Sequence, residues 1–269
     1  MTTYLLGHDP AELERLEHQA RILAPATSTI LQLAGIAPGM RVLDLGSGVG
    51  DVAFEVASLV GPTGSVVGID QSAKALSVAA HRIEQRGLTN VSFIHEDLNK
   101  VRITDEFDAV VGRLILLYMP APHEVLRRFA DLVRPGGVVA VMEYEMTAAG
   151  TLPPTEFSTR IVYWVCEAFR RAGLDASLGA RLAQVMRDTG FADATVVGLQ
   201  GYREPGDPDG ARFAAQTVRT LLPVLEKTGV ATPEEVDIDT VEDRFLRDCV
   251  AHDAIFKPPT LVGAWARVA

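Results

Sequence analysis

The chain of 269 residues has only two cysteines, Cys166 and Cys249. That is too few for a disulfide framework and fits a reducing compartment. No apolar run approaches the ~20 residues that a membrane helix needs. No charged-then-apolar leader opens the chain. A cytoplasmic protein without a membrane span is the expectation. Basic side chains are in the minority, with 25 Lys and Arg against 35 Asp and Glu and a formal net charge of −10. Nucleic-acid phosphates require a basic surface, so the balance argues against such a partner. No His, Cys and carboxylate spacing marks a metal site. Aromatic residues are sparse at 6%, while hydrophobic residues reach 48%, within the range of a soluble globular protein. The length suits one large α/β domain with insertions, or one domain with a small cap.

The stretch around which the chain is organised is Arg41-Val42-Leu43-Asp44-Leu45-Gly46-Ser47-Gly48-Val49-Gly50-Asp51. Val42 to Leu45 read as a short buried strand. It runs into glycines at alternating positions, and Asp51 then opens an apolar helix through Val60. A strand, a glycine-rich turn and a helix in that order present a nucleotide-like ligand at the edge of an open parallel sheet. Glycines serve there because side chains would hold the ligand away from the backbone. The third glycine of a G-x-G-x-x-G dinucleotide fingerprint is absent, with Asp51 in its place, which counts against NAD or FAD. Taken alone, such a turn is also compatible with a plain tight turn.

The turn does not stand alone. Gly64 to Asp70 form a second strand ending in a carboxylate, where a doubly wound fold accepts hydrogen bonds from ribose hydroxyls. Further strands are expected at Val91–Ile94, Ala109–Gly112 and Val138–Met142, with helices between them. This alternation predicts parallel βαβ units. Right-handed crossovers then place every strand's carboxyl end along one edge. That edge collects Gly46, Asp70, Asp97, Arg113 and Glu143.

In order and spacing, the series Asp44–Gly50, Gly64–Asp70, Phe93–Leu98, Phe107–Arg113 and Leu132–Val141 resembles the class I S-adenosylmethionine-dependent methyltransferases over roughly residues 38 to 146. Tyr4-Leu5-Leu6-Gly7-His8 and the helix after it are similar to the small-molecule branch related to ubiquinone and menaquinone C-methyltransferases. The resemblance implies an α/β fold: a doubly wound, seven-stranded, mostly parallel Rossmann-like sheet. It also implies S-adenosyl-L-methionine as cofactor, with Asp44, Gly46 and Gly48 against its amino-acid and ribose portions. Asp70 would hold the ribose hydroxyls, with Gln71 adjacent, and Asp97 would accept from the adenine amino group near the Leu98 backbone. Arg113 would flank the methionine moiety, and Tyr4 and Gln19 would lie near its end. A surface salt bridge is the alternative for Arg113.

The Asn/Asp-Pro-Pro-Tyr/Phe pattern of amino-directed methyltransferases is missing after the fourth strand, which reads Gly112-Arg113-Leu114-Ile115. Transfer to adenine, glutamine or a similar amide is therefore not expected. The resemblance implies C- or O-methylation of a small molecule, with the acceptor atom (carbon, oxygen or nitrogen) left open by the sequence. Glu143 and Tyr144 are the candidate acid/base groups, with Glu145, Tyr118 and His252 as alternatives. Two other classes stay open. One is a methyltransferase-like enzyme that has lost methyl transfer and catalyses cyclisation. The other is a nucleotide-binding dehydrogenase or a non-catalytic module. The oligomeric state is also open, a homodimer among the alternatives.

Outside the sheet, residues 8 to 24 predict an amphipathic helix broken at Pro25, with a second short helix from Ser28 to Gly35. Residues 1–37 are expected to form a helical lid, and 38–200 the cofactor-binding core with a helical insertion near 151–190. Residues 201–259 are expected to form a helical cap, and 260–269 the last core strand. Thr151–Pro154 reads as a linker, Pro122–Val133 as a helix, Ser177–Asp188 as a helix, and Pro223 as a kink in the helix Ala211–Lys227. The acidic run from Glu234 to Asp243 reads as a solvated face.

Overall fold

A computed structural model describes residues 10–269, with side chains from residue 18 onward. In chain order the elements are α1 (Pro10–Ala34), β1 (Arg41–Leu45), α2 (Asp51–Val60), β2 (Ser65–Asp70), α3 (Ala73–Arg86), β3 (Val91–His95) and β4 (Phe107–Arg113). They continue with α4 (Pro122–Ala130), β5 (Val133–Glu145), β6 (Gly150–Leu152), α5 (Glu156–Arg171), α6 (Leu182–Thr189) and β7 (Thr195–Leu199). The chain closes with α7 (Pro208–Thr228), α8 (Pro233–Val236), α9 (Val241–Ala251), β8 (Ile255–Lys257) and β9 (Thr260–Arg267).

Seven strands form one sheet in the order β3-β2-β1-β4-β5-β9-β7. The pairs β1–β2, β2–β3, β1–β4 and β4–β5 are parallel. The mostly parallel, doubly wound sheet expected from the alternation is thus the observed architecture. The central strands are apolar runs buried on both faces, as parallel sheets require. Every residue of β4 from Phe107 to Gly112 is buried, and so is β5 from Gly137 to Tyr144.

The described residues divide into two compact units. One holds residues 23–143, 181–197 and 262–269, which include the cofactor-type edge of the sheet. The other holds residues up to 22, 144–180 and 198–261. In the latter, α5, α7 and α9 pack on one another. Its core includes Ile161, Trp164, Phe213, Val218 and Phe245, with the Phe245 and Phe256 rings edge to face at 5.1 Å.

Several local expectations need correction. Pro25 does not break the first helix: α1 runs through it to Ala34. Leu23, Thr27, Ile30, Leu31 and Ala34 are all buried, so one apolar stripe continues across the proline. An interior proline costs about 3 kcal/mol, and burying that stripe outweighs it at roughly 1.5–3 kcal/mol per large side chain. Pro25 itself is exposed. Residues Thr151–Pro154 are not merely a linker, because β6 pairs antiparallel with β8, Thr151 opposite Phe256. The helix expected to reach Val133 ends at Ala130, and Val133 already belongs to β5. The turn Arg134–Gly137 survives as an irregularity inside that strand, between the pairs Phe107↔Val133 and Ala109↔Val138. Residues 179–181 form a short 3-10 turn before α6 rather than part of one helix from Ser177. The acidic residues of 234–243 are solvated as expected, most of them exposed.

Candidate active site

The turn after β1 is held in shape by β2. Ser47 N donates to Ile69 O at 2.9 Å, and Gly48 N donates to Asp70 Oδ2 at 2.8 Å. Gly46 and Gly48 have φ of 67° and 53°, the left-handed region that L side chains avoid. A Cβ at Gly46 would stand 2.5 Å from the Ile115 side chain, whereas nothing lies within 4 Å of one at Gly48. The turn is therefore closed on one side by Ile115 and open at Gly48. Asp70 uses its second oxygen, Oδ1, to accept from Ser72 N at 2.8 Å, and Ser72 in turn caps α3 through Ala75 N. A carboxylate offers about four lone-pair sites. Two remain at Asp70 for further donors.

Asp44 lies one residue before the end of β1, opposite Gly68 on β2 and Val111 on β4. It is 1% exposed, and neither carboxyl oxygen has a hydrogen-bond partner among the described residues. Burial pushes its pKa up to about 8, opposed by the Arg113 charge and, less, by the nearby Ala53 backbone N–H, which falls short of hydrogen-bond geometry, and reinforced by Asp70. The Ser47 hydroxyl is likewise buried without a partner. Leaving a buried polar group unsatisfied costs about 1–3 kcal/mol. Several such atoms beside an open glycine turn have the character of a ligand site.

Arg113 ends β4 and donates from Nη1 to the fully buried Thr27 Oγ1 at 2.8 Å. The surface salt-bridge alternative is not what the structure shows: the side chain reaches a helix hydroxyl. Next to it Leu114 has φ of 55°, a strained value for a leucine. Glu143 on β5 is 1% exposed, and its Oε1 accepts from Ile115 N at 2.9 Å and Leu116 N at 2.6 Å. Its Oε2 is buried without a partner, and burial pushes the pKa up to about 8 against those amide bonds.

At the end of β3, Asp97 Oδ1 accepts from Asn99 N and Asn99 Nδ2 at 2.8 and 3.1 Å. The Asn99 amide chiefly holds its carboxyl below the usual range. Leu98 is buried, and Gln71 is exposed with its carbonyl 3.1 Å from His95 Nε2. Asp44, Gly46, Gly48, Asp70, Asp97 and Arg113 thus share one sheet edge with Gln71 and Leu98. In the other unit, Gln19 Nε2 donates to the Tyr144 hydroxyl at 3.5 Å, which brings together two residues singled out separately from sequence. Tyr4 lies outside the described residues.

Thr27, Ser47, Leu114 and Ile115 were not anticipated. Ser47 was legible, since it sits between two functional glycines. Thr27 and Ile115 enter only through tertiary contacts, and no sequence signal marks a leucine for positive φ. His18 is a further unanticipated buried group, with Nδ1 2.9 Å from Gln216 Oε1. Its Nε2 lies 3.4 Å from Asp209 Oδ1, close enough for an ion pair yet poorly aligned for a hydrogen bond. Among the described residues no group of His, Cys, Asp and Glu could hold a metal, and no helix is long and apolar enough to cross a membrane.

A seven-stranded α/β sheet with a glycine turn at β1, a carboxylate at the end of β2 and an acidic residue after β3 defines a nucleoside-cofactor fold. The methyltransferase-domain family model matches residues 36–171, and the chain belongs to that family, the class I S-adenosylmethionine-dependent methyltransferases. It is 36% identical over 116 residues to the ubiquinone/menaquinone biosynthesis C-methyltransferase UbiE of Ectopseudomonas mendocina (strain ymp), covering 42% of this chain and 45% of that one. The chain spans about half the length of the curated relatives it matches. Its fold is similar to Haemonchus contortus phosphoethanolamine N-methyltransferase 2 in complex with phosphomonomethylethanolamine and S-adenosylhomocysteine (TM-score 0.56, 20% identity, 90% of this chain and 52% of that one). It is also similar to the [4+2]-cyclase SpnF (TM-score 0.54, 21% identity, 91% and 81%). An N-methyltransferase and a cyclase share this architecture, so the structural likeness speaks to the fold and not to the acceptor.

Proposed function

We propose that the chain transfers a methyl group from S-adenosyl-L-methionine to a small-molecule acceptor, by C- or O-methylation. The observation that carries this reading is the pair of partnerless buried groups, the Asp44 carboxyl and the Ser47 hydroxyl, beside the open Gly48 turn. They fit a ligand that brings a cationic amine and further polar atoms to the sheet edge. Asp70, with lone pairs left after binding two backbone amides, fits a ribose diol. Asp97, whose Oδ2 faces Lys100 Nζ at 3.8 Å, keeps acceptor capacity for an exocyclic amine beside that charge.

When bound, the cofactor supplies the methyl group on a sulfonium that is already electrophilic. The chain's own contribution is then to bind, orient and exclude water, and such positioning is worth ~7–11 kcal/mol of a barrier. Arg113, fixed by Thr27, supplies positive charge at the end of β4. Tyr144, at the end of β5 and hydrogen-bonded by Gln19, is the group for accepting or holding a proton of the acceptor. The net charge of −10 supports a small acceptor over a nucleic acid, and two cysteines, too few for a disulfide framework, support a cytoplasmic setting. Trp164 and Phe213 give no support for an apolar pocket, because both are core residues. Support for a quinone-type acceptor comes instead from the relative named as a ubiquinone/menaquinone biosynthesis C-methyltransferase.

The test is transfer of a labelled methyl group from the cofactor to a panel of phenols, enols and quinols. Label in an acceptor is the expected result. Product formed from a polyene without any label would replace methyl transfer by cyclisation.

A further inference from the structure

We propose that Glu143 is a positioning residue for the cofactor turn: its carboxyl fixes the Ile115–Leu116 backbone so that the Ile115 side chain forms the wall closing the turn at Gly46. The inference rests on the cofactor reading above and assigns the chemistry of Glu143 to architecture in place of acid/base work.

Three observations converge on this wall. First, Glu143 Oε1 is already committed to two consecutive amides, Ile115 N and Leu116 N, in a 1% exposed site. Such doubly accepted bonds hold a loop at two successive points. Second, Leu114 carries φ of 55° and its N–H donates to Met142 O at 2.8 Å. A non-glycine residue persists in that conformation only when its surroundings over-determine it. Here β5 does so from both sides, through Met142 O before the bend and Glu143 after it. Third, the bend delivers Ile115 onto the glycine turn. A Cβ at Gly46 would meet Ile115 Cδ1 at 2.5 Å, and one at Gly112 would meet Ile115 Cγ2 at 3.1 Å. The two glycines therefore leave room for this one side chain. A cofactor lying along Gly46–Gly48 would have Ile115 as its neighbour on the β4 side.

The protonation of Glu143 agrees with the same role. Burial favours the neutral acid, in which one oxygen accepts and the other carries the proton. Glutamine is close to an isostere of that neutral acid, with the acceptor oxygen kept. Aspartate keeps the acid but is one methylene shorter, and withdraws the acceptor from both amides. The two variants thus separate positioning from proton transfer.

The experiment measures S-adenosylhomocysteine affinity by calorimetry and labelled-methyl single turnover in the wild type, E143Q, E143D, I115A and E143D/I115A. Positioning predicts that E143Q stays near wild type in both readouts. E143D and I115A should each weaken affinity by about tenfold, the scale of one lost hydrogen bond or contact set. The double variant should be no weaker than the worse single one, because both disrupt one wall. If E143D fails to fold, I115A and E143Q together still decide: normal affinity in I115A overturns the proposal. A fall of ~10²-fold or more in E143Q turnover with intact affinity would overturn it in favour of general acid/base catalysis. Absence of binding by the wild type would overturn the cofactor reading itself, whereas wild-type binding with unaffected E143D and I115A overturns only the positioning role.

Discussion

Asp44 and Glu143 are carboxyls that the native state buries before any ligand arrives, and each has a pKa pushed to about 8 from an ordinary value near 4. Between those limits the folded chain holds protons that the unfolded chain has released. The favourable protonation is fully present below the unfolded value and is lost as pH rises through the folded one. Asp44→Asn removes this dependence at one site. Its melting temperature should therefore rise relative to wild type as pH goes from 5 to 8, and parallel profiles would show that Asp44 is not buried as described. Asp70 makes a different prediction, because its oxygens already hold Gly48 N and Ser72 N. Asp70→Ala should weaken S-adenosylmethionine binding by ~1–3 kcal/mol and also loosen the glycine turn. Unchanged calorimetric affinity with an intact circular-dichroism spectrum would remove Asp70 from the ribose role.

At the scale of elements, α1 carries a proline that its packing tolerates. Pro25 is exposed, so Pro25→Ala restores a backbone bond without touching the buried stripe. The variant should be more stable by about 1–3 kcal/mol in denaturant unfolding. A loss of stability would mean that the proline sets the course of the helix. The same element shows where sequence reading stops. Proline was read by its local cost, and the stripe from Leu23 to Ala34 outweighs that cost only once the sheet is there to bury it. The β strands were legible because their apolar runs and flanking glycines are local signals. β6 was not, since Gly150-Thr151-Leu152 becomes a strand through partners at Ile255–Lys257, about a hundred residues on. Asp44, Gly46, Gly48 and Asp70 were legible by type and spacing. Ile115 and Thr27 were not, because an aliphatic wall and a buried threonine have no motif, and the bend at Leu114 is imposed by β5.

At the scale of the molecule, one sheet edge gathers a buried acid, an open glycine turn and a strand-end carboxylate, and family membership supplies the cofactor that such an edge accommodates. The missing third glycine separates this turn from the dinucleotide fingerprint. The curated relatives align over less than half of this chain. The most direct test of the central claim is isothermal titration of the wild-type protein with S-adenosylhomocysteine and, separately, with NAD. The account predicts saturable one-site binding of S-adenosylhomocysteine and none of NAD. Binding of NAD, or of neither compound by folded protein, would contradict it.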